Sequence, residues 1–225
     1  MSARAPLLLA VAFLILAHAA AISKLATLAL LAGAVLGLML SWPLRARRAT
    51  FLLALLTTAG ALWWLHMRGQ TFLPLLLPPV VFNAVVAMYF ARSLRAGRTP
   101  LIECIVLAIH DGRMPDPEVP RYARHLTVSW AVLLFGLAAV NLALGLVAEP
   151  SGLLLSLGVT PPLQVPLAWW SAFANGINYA IIGAFFTGEY AYRRHRFPNP
   201  VYRNFADFTA RVGKLGPTFW REAGR

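Results

Sequence analysis

Few residues of this chain are of types that could do chemistry, and three of them lie close together. Glu103, His110 and Asp111 supply two carboxyl groups and an imidazole, which are groups that commonly transfer protons in enzymes. Glu103 and His110 are seven positions apart, so they share one face of a helix. Such a set would suit acyl or glycosyl transfer by a membrane-embedded enzyme.

Three features of the sequence speak against catalysis. An acid/base or metal site needs more converging groups than Glu103 and His110 provide. Acyltransferases typically space their His and Asp several residues apart, whereas His110 and Asp111 are adjacent. The single cysteine, Cys104, lies in an apolar run and is expected to be a packed, inert thiol. We therefore predict no catalytic residue, no cofactor and no metal site, and we interpret residues 101–109 as an interfacial helix followed by a polar stop.

A second set of polar residues lies inside apolar runs. Asn175 and Asn178 are three positions apart, so they form a polar stripe on one helix face. The stripe could line a groove for a lipid-like ligand, or it could join helices by hydrogen bonds worth about 1 kcal/mol. With Asn83 and Asn141, the same residues could line the path of a transporter.

The elements that must position these residues are six apolar runs. The chain is 59% hydrophobic and only 12% charged, whereas about a quarter of the residues in soluble domains are charged. Each run is near the length that a helix needs to cross about 30 Å of hydrocarbon, and lipid forces the backbone to be helical. The predicted spans are residues 6–22, 25–42, 51–66, 71–91, 127–148 and 165–188.

The fold class that follows is all-α, a polytopic membrane bundle of about six transmembrane helices. Residues 1–188 form the membrane domain, with a cytoplasmic loop at 92–126 that contains the interfacial helix. Residues 189–225 form a basic cytoplasmic tail, in which the stretch from Phe205 to Gly213 has the pattern of an amphipathic helix.

Basic residues alternate between the gaps that separate these runs. Eighteen of the 20 Lys and Arg residues fall in alternate gaps and at the termini, and two fall on the opposite side. By the positive-inside rule, both termini are predicted to be cytoplasmic. The net charge of +12 is interpreted as a topology signal and as contact with anionic lipid head groups, not as nucleic-acid binding.

The first apolar run has two interpretations. Arg4, the apolar stretch and the small residues around His18 also resemble a signal peptide with its cleavage site. Retention of the run as a span is favoured, because Lys24 leaves only a tight turn before the second run. Whether or not the run is cleaved, the basic loop at 92–126 and the basic tail are predicted to be cytoplasmic.

Most of the basic residues on the predicted cytoplasmic side are concentrated in the loop and the tail. This concentration exceeds what orientation requires, so it marks a binding surface for lipid or for a partner. If the sixth span continues as a helix, Glu189 and Arg193 form a favourable i, i+4 pair. The predicted binding residues are Arg92, Arg95, Arg98, Arg121, Arg124, Glu189, Arg193, Arg194 and Arg196.

Several short motifs between residues 80 and 220 support a resemblance. They are Ser93-Leu followed by Gly97–Ile102, Pro120–Arg124 followed by Thr127 and Trp130, Asn178-Tyr179, and Glu189 followed by Arg193-Arg194 and Phe197-Pro198. This pattern resembles a family of uncharacterised bacterial inner-membrane proteins encoded among aryl-polyene and xanthomonadin-type pigment genes. The resemblance implies the inner membrane of a Gram-negative bacterium, near enzymes that make or export a lipid-linked polyene. It supplies no catalytic residues.

The hypothesis we draw is a non-catalytic accessory protein that docks lipid-like biosynthesis at the cytoplasmic face of the membrane. Its expected partners are anionic lipid head groups, an acidic acyl carrier protein or other pathway enzymes, with homo-oligomerisation also open. The alternatives are a transporter or flippase for a hydrophobic product and a membrane-embedded acyl or glycosyl transferase.

Overall fold

The fold of the chain is all-α, as the apolar runs predicted. The structure is a computed structural model that describes residues 4–197, 205–216 and 219. The α-helices are α1 (Arg4–Ser23), α2 (Ala26–Ser41), α3 (Arg48–Met67), α4 (Leu73–Ser93), α5 (Leu101–Ile109), α6 (Val119–Val147), α7 (Leu153–Ser156), α8 (Leu167–Ala172), α9 (Asn178–Arg196) and α10 (Phe205–Lys214).

Four shorter elements complete the described backbone. A 3-10 turn, Trp42–Ala46, continues α2, and a π turn, Phe173–Ile177, joins α8 to α9. Residues 167–196 therefore form one unbroken run of helical backbone. The strands β1 (Ala148–Glu149) and β2 (Val165–Pro166) pair in parallel over two residues each.

Four helical segments of the described chain are long and apolar enough to cross a membrane, which is a feature of membrane proteins. They are Ala26–Ala46, Arg48–Met67, Leu73–Ser93 and Val119–Val147. The first predicted span appears as α1, of which Val11–Ser23 is a shorter apolar segment. The sixth predicted span is divided between α8, the π turn and the more polar α9.

Two helices extend about two turns beyond the apolar runs that predicted them. Helix α6 begins at Val119, so residues 119–126, which we predicted as loop, are helical. The Asp116 carboxylate accepts a hydrogen bond from the backbone N–H of Glu118 (2.8 Å) and so ends the preceding turn. Helix α9 continues to Arg196 and ends just before Phe197-Pro198, where proline disfavours further helix.

The described chain divides into two compact units. Unit 1 comprises Met1–Val80 and Ala139–Tyr179, and unit 2 comprises Val81–Ala138 and Ala180–Arg225. The division assigned from sequence, a membrane domain at 1–188 and a tail at 189–225, stays a prediction.

The core of unit 1 is built largely from small residues. Ala17 and Ala20 of α1 pack with Ala29 and Ala32 of α2, and all four are buried. Small side chains allow two helices to approach closely. Such residues are common where helices pack within a membrane, because there the hydrophobic effect does not drive helices together. Trp170 of α8 completes this core. Its side chain is only 2% exposed.

The core of unit 2 is aromatic. The ring of Trp130 meets Phe185 edge-on, with centroids 4.8 Å apart, and it also lies beside Phe90 and Phe186. Edge-to-face pairs of this kind stabilise a core by about 0.5–1.5 kcal/mol beyond their burial.

The first turn of α5 is fixed by hydroxyl groups from its neighbours. The backbone N–H of Leu101 donates to Ser93 Oγ (3.0 Å), and that of Ile102 donates to Thr127 Oγ1 (3.3 Å). Because the first turn of a helix has unpaired N–H groups, these bonds tie the start of α5 to α4 and α6.

Gly33 and Gly37 of α2 face α3. A Cβ atom on Gly33 would lie 2.6 Å from Leu62 Cδ2, and one on Gly37 would overlap the methyl group of Thr58. A Cβ atom on Gly60 of α3 would meet nothing within 4 Å. The two glycines of α2 therefore set the close approach of these helices.

We expect Gly37→Ala to lower the thermal stability of the protein in detergent, whereas Gly60→Ala should not. Alanine is favoured over glycine by about 1 kcal/mol in both helices, but at residue 37 the added methyl overpacks against Thr58, which costs about 1–3 kcal/mol. The double variant Gly37→Ala/Thr58→Ala should recover stability, since it removes the obstructing methyl group. Equal melting temperatures for Gly37→Ala and Gly60→Ala would contradict this account.

Candidate functional site

A cavity of about 540 Å³ lies within unit 2. Its walls come from α4, α5, α6, α9 and α10 together with the segments that follow α5 and α9. Most of the lining side chains are aliphatic or aromatic, and fewer are polar. The lining residues are Phe82, Val86, Phe90, Ile102, Ile105, Val106, Ile109, His110, Pro115, Asp116, Val119, Tyr122, Leu126, Trp130, Leu134, Ile182, Phe186, Glu189, Arg193, Arg196, Phe197, Phe208, Thr209 and Val212.

The polarity of the lining changes along α6. Tyr122, Leu126, Trp130 and Leu134 recur every four residues, so they form one helix face that runs along the cavity. Only Tyr122, at the N-terminal end of this face, carries a hydroxyl group. The cavity is therefore polar where α6 begins and apolar further along the helix.

Helix α9 shows the same gradient in the opposite chain direction. Ile182 and Phe186 contribute apolar side chains, and Glu189 and Arg193 follow towards the C-terminal end. Because Tyr122 bonds Glu189 (3.0 Å), the polar end of α9 meets the polar end of α6. The cavity thus has one charged end and one apolar end.

The charged end is organised around the carboxylate of Glu189. Its Oε1 atom accepts a hydrogen bond from the Tyr122 hydroxyl and lies 2.9 Å from Nε of Arg193. The Arg193 and Glu189 side chains are 15% and 8% exposed, so the ion pair predicted from their spacing is buried. Burial raises the pKa of the Glu189 carboxyl, and Arg193 and the Tyr122 hydrogen bond offset only part of this increase.

Arg193 also connects α9 to α10. Its guanidinium group lies 4.4 Å from the centroid of the Phe208 ring, a cation–π contact. Phe208 is buried against Ile109 and packs beside Phe186. Phe208 and Val212 of the amphipathic tail helix therefore pack against other residues of unit 2.

The predicted binding residues fall into two groups in the structure. Glu189, Arg193 and Arg196 line the cavity, and Arg196 forms an ion pair with Glu118 in which both side chains are largely exposed. The other residues are exposed arginines that do not line the cavity. We call them the basic surface: Arg92, Arg95, Arg98, Arg121, Arg124 and Arg194.

The basic surface lies at the charged end of unit 2. The hydroxyls of Ser93 and Thr127 join the end of α4 and the early turns of α6 to the start of α5. Tyr122 of α6 stacks on Tyr192 of α9, with ring centroids 6.0 Å apart. The arginines at the end of α4, the start of α6 and the end of α9 are thus brought to one end of the unit.

The acid/base set is not assembled in the cavity. His110 lines it, with Nδ1 2.9 Å from the carbonyl oxygen of Val106, and a neutral imidazole that donates there keeps Nε2 as an acceptor. Glu103 and Asp111 are not among the described lining residues. Within the described part of the chain, no group of three or more His, Cys, Asp and Glu residues could hold a metal ion.

Asn175 and Asn178 have separate partners within unit 1. The side chain of Asn141 donates to Asn178 Oδ1 (3.1 Å), and that of Asn175 donates to Ser171 Oγ (3.2 Å), which also contacts His18 Nδ1 (3.0 Å). Asn175 lies in the π turn and Asn178 just beyond it, and the wider turn changes the spacing of side chains around the helix. The Asn141–Asn178 and His18–Ser171 contacts join helices of unit 1, whereas the Asn175–Ser171 bond lies within one helical run. The ligand groove along the stripe stays a prediction.

Sequence reasoning missed the cavity residues of α6, above all Tyr122 and Trp130. A signal was present, because large side chains recur every four residues from Tyr122 to Leu134. That signal is also what any packed helix face shows, so it could not distinguish a cavity wall from a core.

We expect Arg193→Gln to destabilise unit 2 strongly and Arg211→Gln to have little effect. Both arginines belong to i, i+4 ion pairs, but the Arg211–Asp207 side chains are 39% and 32% exposed. Breaking a buried pair costs about 3–5 kcal/mol, whereas an exposed pair contributes about 0–1 kcal/mol. Thermal unfolding in detergent measures the difference.

The loss in Arg193→Gln should shrink as the pH falls. A carboxyl group whose pKa is raised in the folded state takes up a proton on folding, so acid favours the folded variant. Protonated Glu189 then no longer leaves a buried charge without its partner. Equal destabilisation by the two substitutions, or a loss that grows in acid, would overturn the role assigned to the pair.

Comparisons with known proteins give no relative for this arrangement. No family model matches the chain, and neither a curated protein nor a solved structure matches it. The resemblance to the pigment-cluster membrane proteins therefore stays a prediction.

Proposed function

We propose that this chain is a membrane accessory protein that docks an acidic partner of lipid-like biosynthesis, without catalysing a reaction itself. The observation that supports the proposal is the basic surface at the charged end of unit 2. Its six arginines are all exposed, and the sequence as a whole has 20 Lys and Arg residues against eight Asp and Glu.

Exposed arginines suit docking more than they suit folding. Surface charges contribute little to stability, about 0–1 kcal/mol even when they are paired. At a binding surface, charges of one sign attract a partner of opposite sign and raise its association rate. Acyl carrier proteins are generally acidic, so an acidic carrier that delivers a growing chain is the partner proposed here. Anionic lipid head groups are the other partner with matching charge.

The largely apolar cavity lies beside the basic surface, which supports a partner with a lipid-like chain. Tyr122 and Glu189 mark its charged end, and Arg121, Arg124 and Arg194 are close to them in sequence on the same helices. A partner that carries an apolar chain and an acidic surface would meet complementary groups at both places. The setting proposed is the cytoplasmic face of a bacterial inner membrane, with both termini on that side.

The geometry gives less support to the two alternatives. For a transporter, Asn141 and Asn178 bond each other, as residues that join helices do. For a transferase, His110 is the one member of the acid/base set that lines the cavity. A His110→Ala variant is therefore expected to retain full pathway function.

We expect the triple variant Arg121→Gln/Arg124→Gln/Arg194→Gln to lose capture of an acidic acyl carrier protein. The full chain is reconstituted in nanodiscs of neutral lipid, so that anionic lipid cannot compete, and binding is measured at low salt. Removing three exposed charges should weaken binding about tenfold or more. Wild-type binding should also fall as salt screens the charges.

The matched control is Arg45→Gln/Arg47→Gln/Arg48→Gln, which removes the same charge from a predicted cytoplasmic segment of unit 1. The control should bind the carrier as the wild type does. Equal binding by the triple variant and the wild type would refute the docking role of the basic surface. Equal loss in both triple variants would show that net charge, and not this surface, attracts the carrier.

A further inference from the structure

We infer that the cavity of unit 2 is a binding site for a single-chain amphiphile with an acidic head group. The chain lies along α6 and α9 towards Trp130 and Leu134, and the head lies at the charged end beside Arg196. This site is distinct from the basic surface and goes beyond docking of a carrier, since it takes the free ligand.

The apolar end is suited to hydrocarbon. Phe90, Trp130, Leu134, Ile182 and Phe186 supply aliphatic and aromatic surface there. A charged or strongly polar group placed among them would lose its hydration without a partner, which costs several kcal/mol. An apolar chain loses nothing by the same transfer and is favoured by its removal from water.

The dimensions fit one chain and not two. A methylene group occupies about the volume of a water molecule, ~30 Å³, so the 540 Å³ of the cavity holds on the order of eighteen chain carbons by that measure. Along α6, the twelve helical steps from Tyr122 to Leu134 span about 18 Å at 1.5 Å per step. That length is near the ~15 Å of one leaflet of a bilayer. A diacyl lipid would carry too many carbons for this volume.

The charged end favours an acidic head group. Glu189 and Arg193 neutralise each other within the wall. Arg196 is more accessible, because its side chain is 51% exposed even in its ion pair with Glu118. Exposed Arg194 and Arg121 add further positive charge near this end. A carboxylate or phosphate there could accept hydrogen bonds from the guanidinium of Arg196.

The experiment is photolabelling of the full chain in neutral-lipid nanodiscs with two hexadecanoic acid probes. One carries its diazirine near the methyl end and the other near the carboxyl group. The first is expected to label residues 126–134 and 182–186, and the second residues 189–197. Unlabelled hexadecanoic acid should compete with both. Identical labelling patterns, or labels spread over exposed helix faces without competition, would overturn the site.

A cavity-filling variant tests the position of the chain. Val86 lines the cavity, whereas its neighbour Val85 is 60% exposed and does not. Val86→Trp should abolish competed labelling, and Val85→Trp should preserve it. The comparison requires that the two variants have the same melting temperature. If Val86→Trp has a lower melting temperature, Ile105→Phe on α5 is the smaller cavity-filling substitution, and it should also abolish competed labelling. Undiminished labelling in a folded cavity-filling variant contradicts the inference.

The head group is tested by competition with hexadecanol. An alcohol of the same length should compete about fivefold more weakly than the acid, the effect of one accessible charge interaction. Equal competition would overturn the acidic head. The triple variant of the basic surface should still be labelled at residues 126–134. The two proposals can therefore fail separately. A wild-type chain that is labelled but captures no carrier contradicts only the docking proposal, and one that captures the carrier without competed labelling contradicts only this site.

Discussion

Unit 2 holds an ionised pair, Glu189 and Arg193, inside an otherwise apolar interior, and much of its geometry depends on that pair. Burying a charge is costly unless partners replace its hydration. Glu189 obtains its partners from Arg193 one turn away and from Tyr122 of α6. Arg193 in turn lies over Phe208, which brings α10 against α9. One solvation requirement therefore fixes three helices at the same end of the unit.

Unit 1 meets the constraints of a largely apolar chain differently. Its core is rich in alanine, and Gly37 allows α2 to contact α3 closely. Two polar contacts cross between its helices, since Asn141 bonds Asn178 and His18 contacts Ser171. Such bonds are favourable where water is scarce, because the alternative is an unsatisfied polar group. Unit 1 thus packs without leaving charged side chains in its core, whereas unit 2 keeps a buried charge beside a cavity.

The arrangement in unit 2 separates two uses of arginine. Arg193 is enclosed and serves the fold, since its charge is matched within the wall. Arg121, Arg124 and Arg194 are exposed and contribute little to folding. Exposed charges of one sign attract an oppositely charged molecule from a distance, whereas a cavity interacts only with a molecule that contacts it. A ligand or carrier approaching this end would therefore be attracted first by charge and then held by apolar contact.

The sequence by itself determined the helices, because lipid leaves the backbone no other way to satisfy its polar groups. It also predicted the Glu189–Arg193 pair, since that pair depends on local spacing. It did not predict that α6 begins at Val119 or that a cavity lies beside Trp130. Those features depend on which helix faces meet, and side chains distant in the chain decide that contact. Periodicity marks a face as apolar, but only the tertiary structure shows whether that face is covered by a neighbouring helix or lines a cavity.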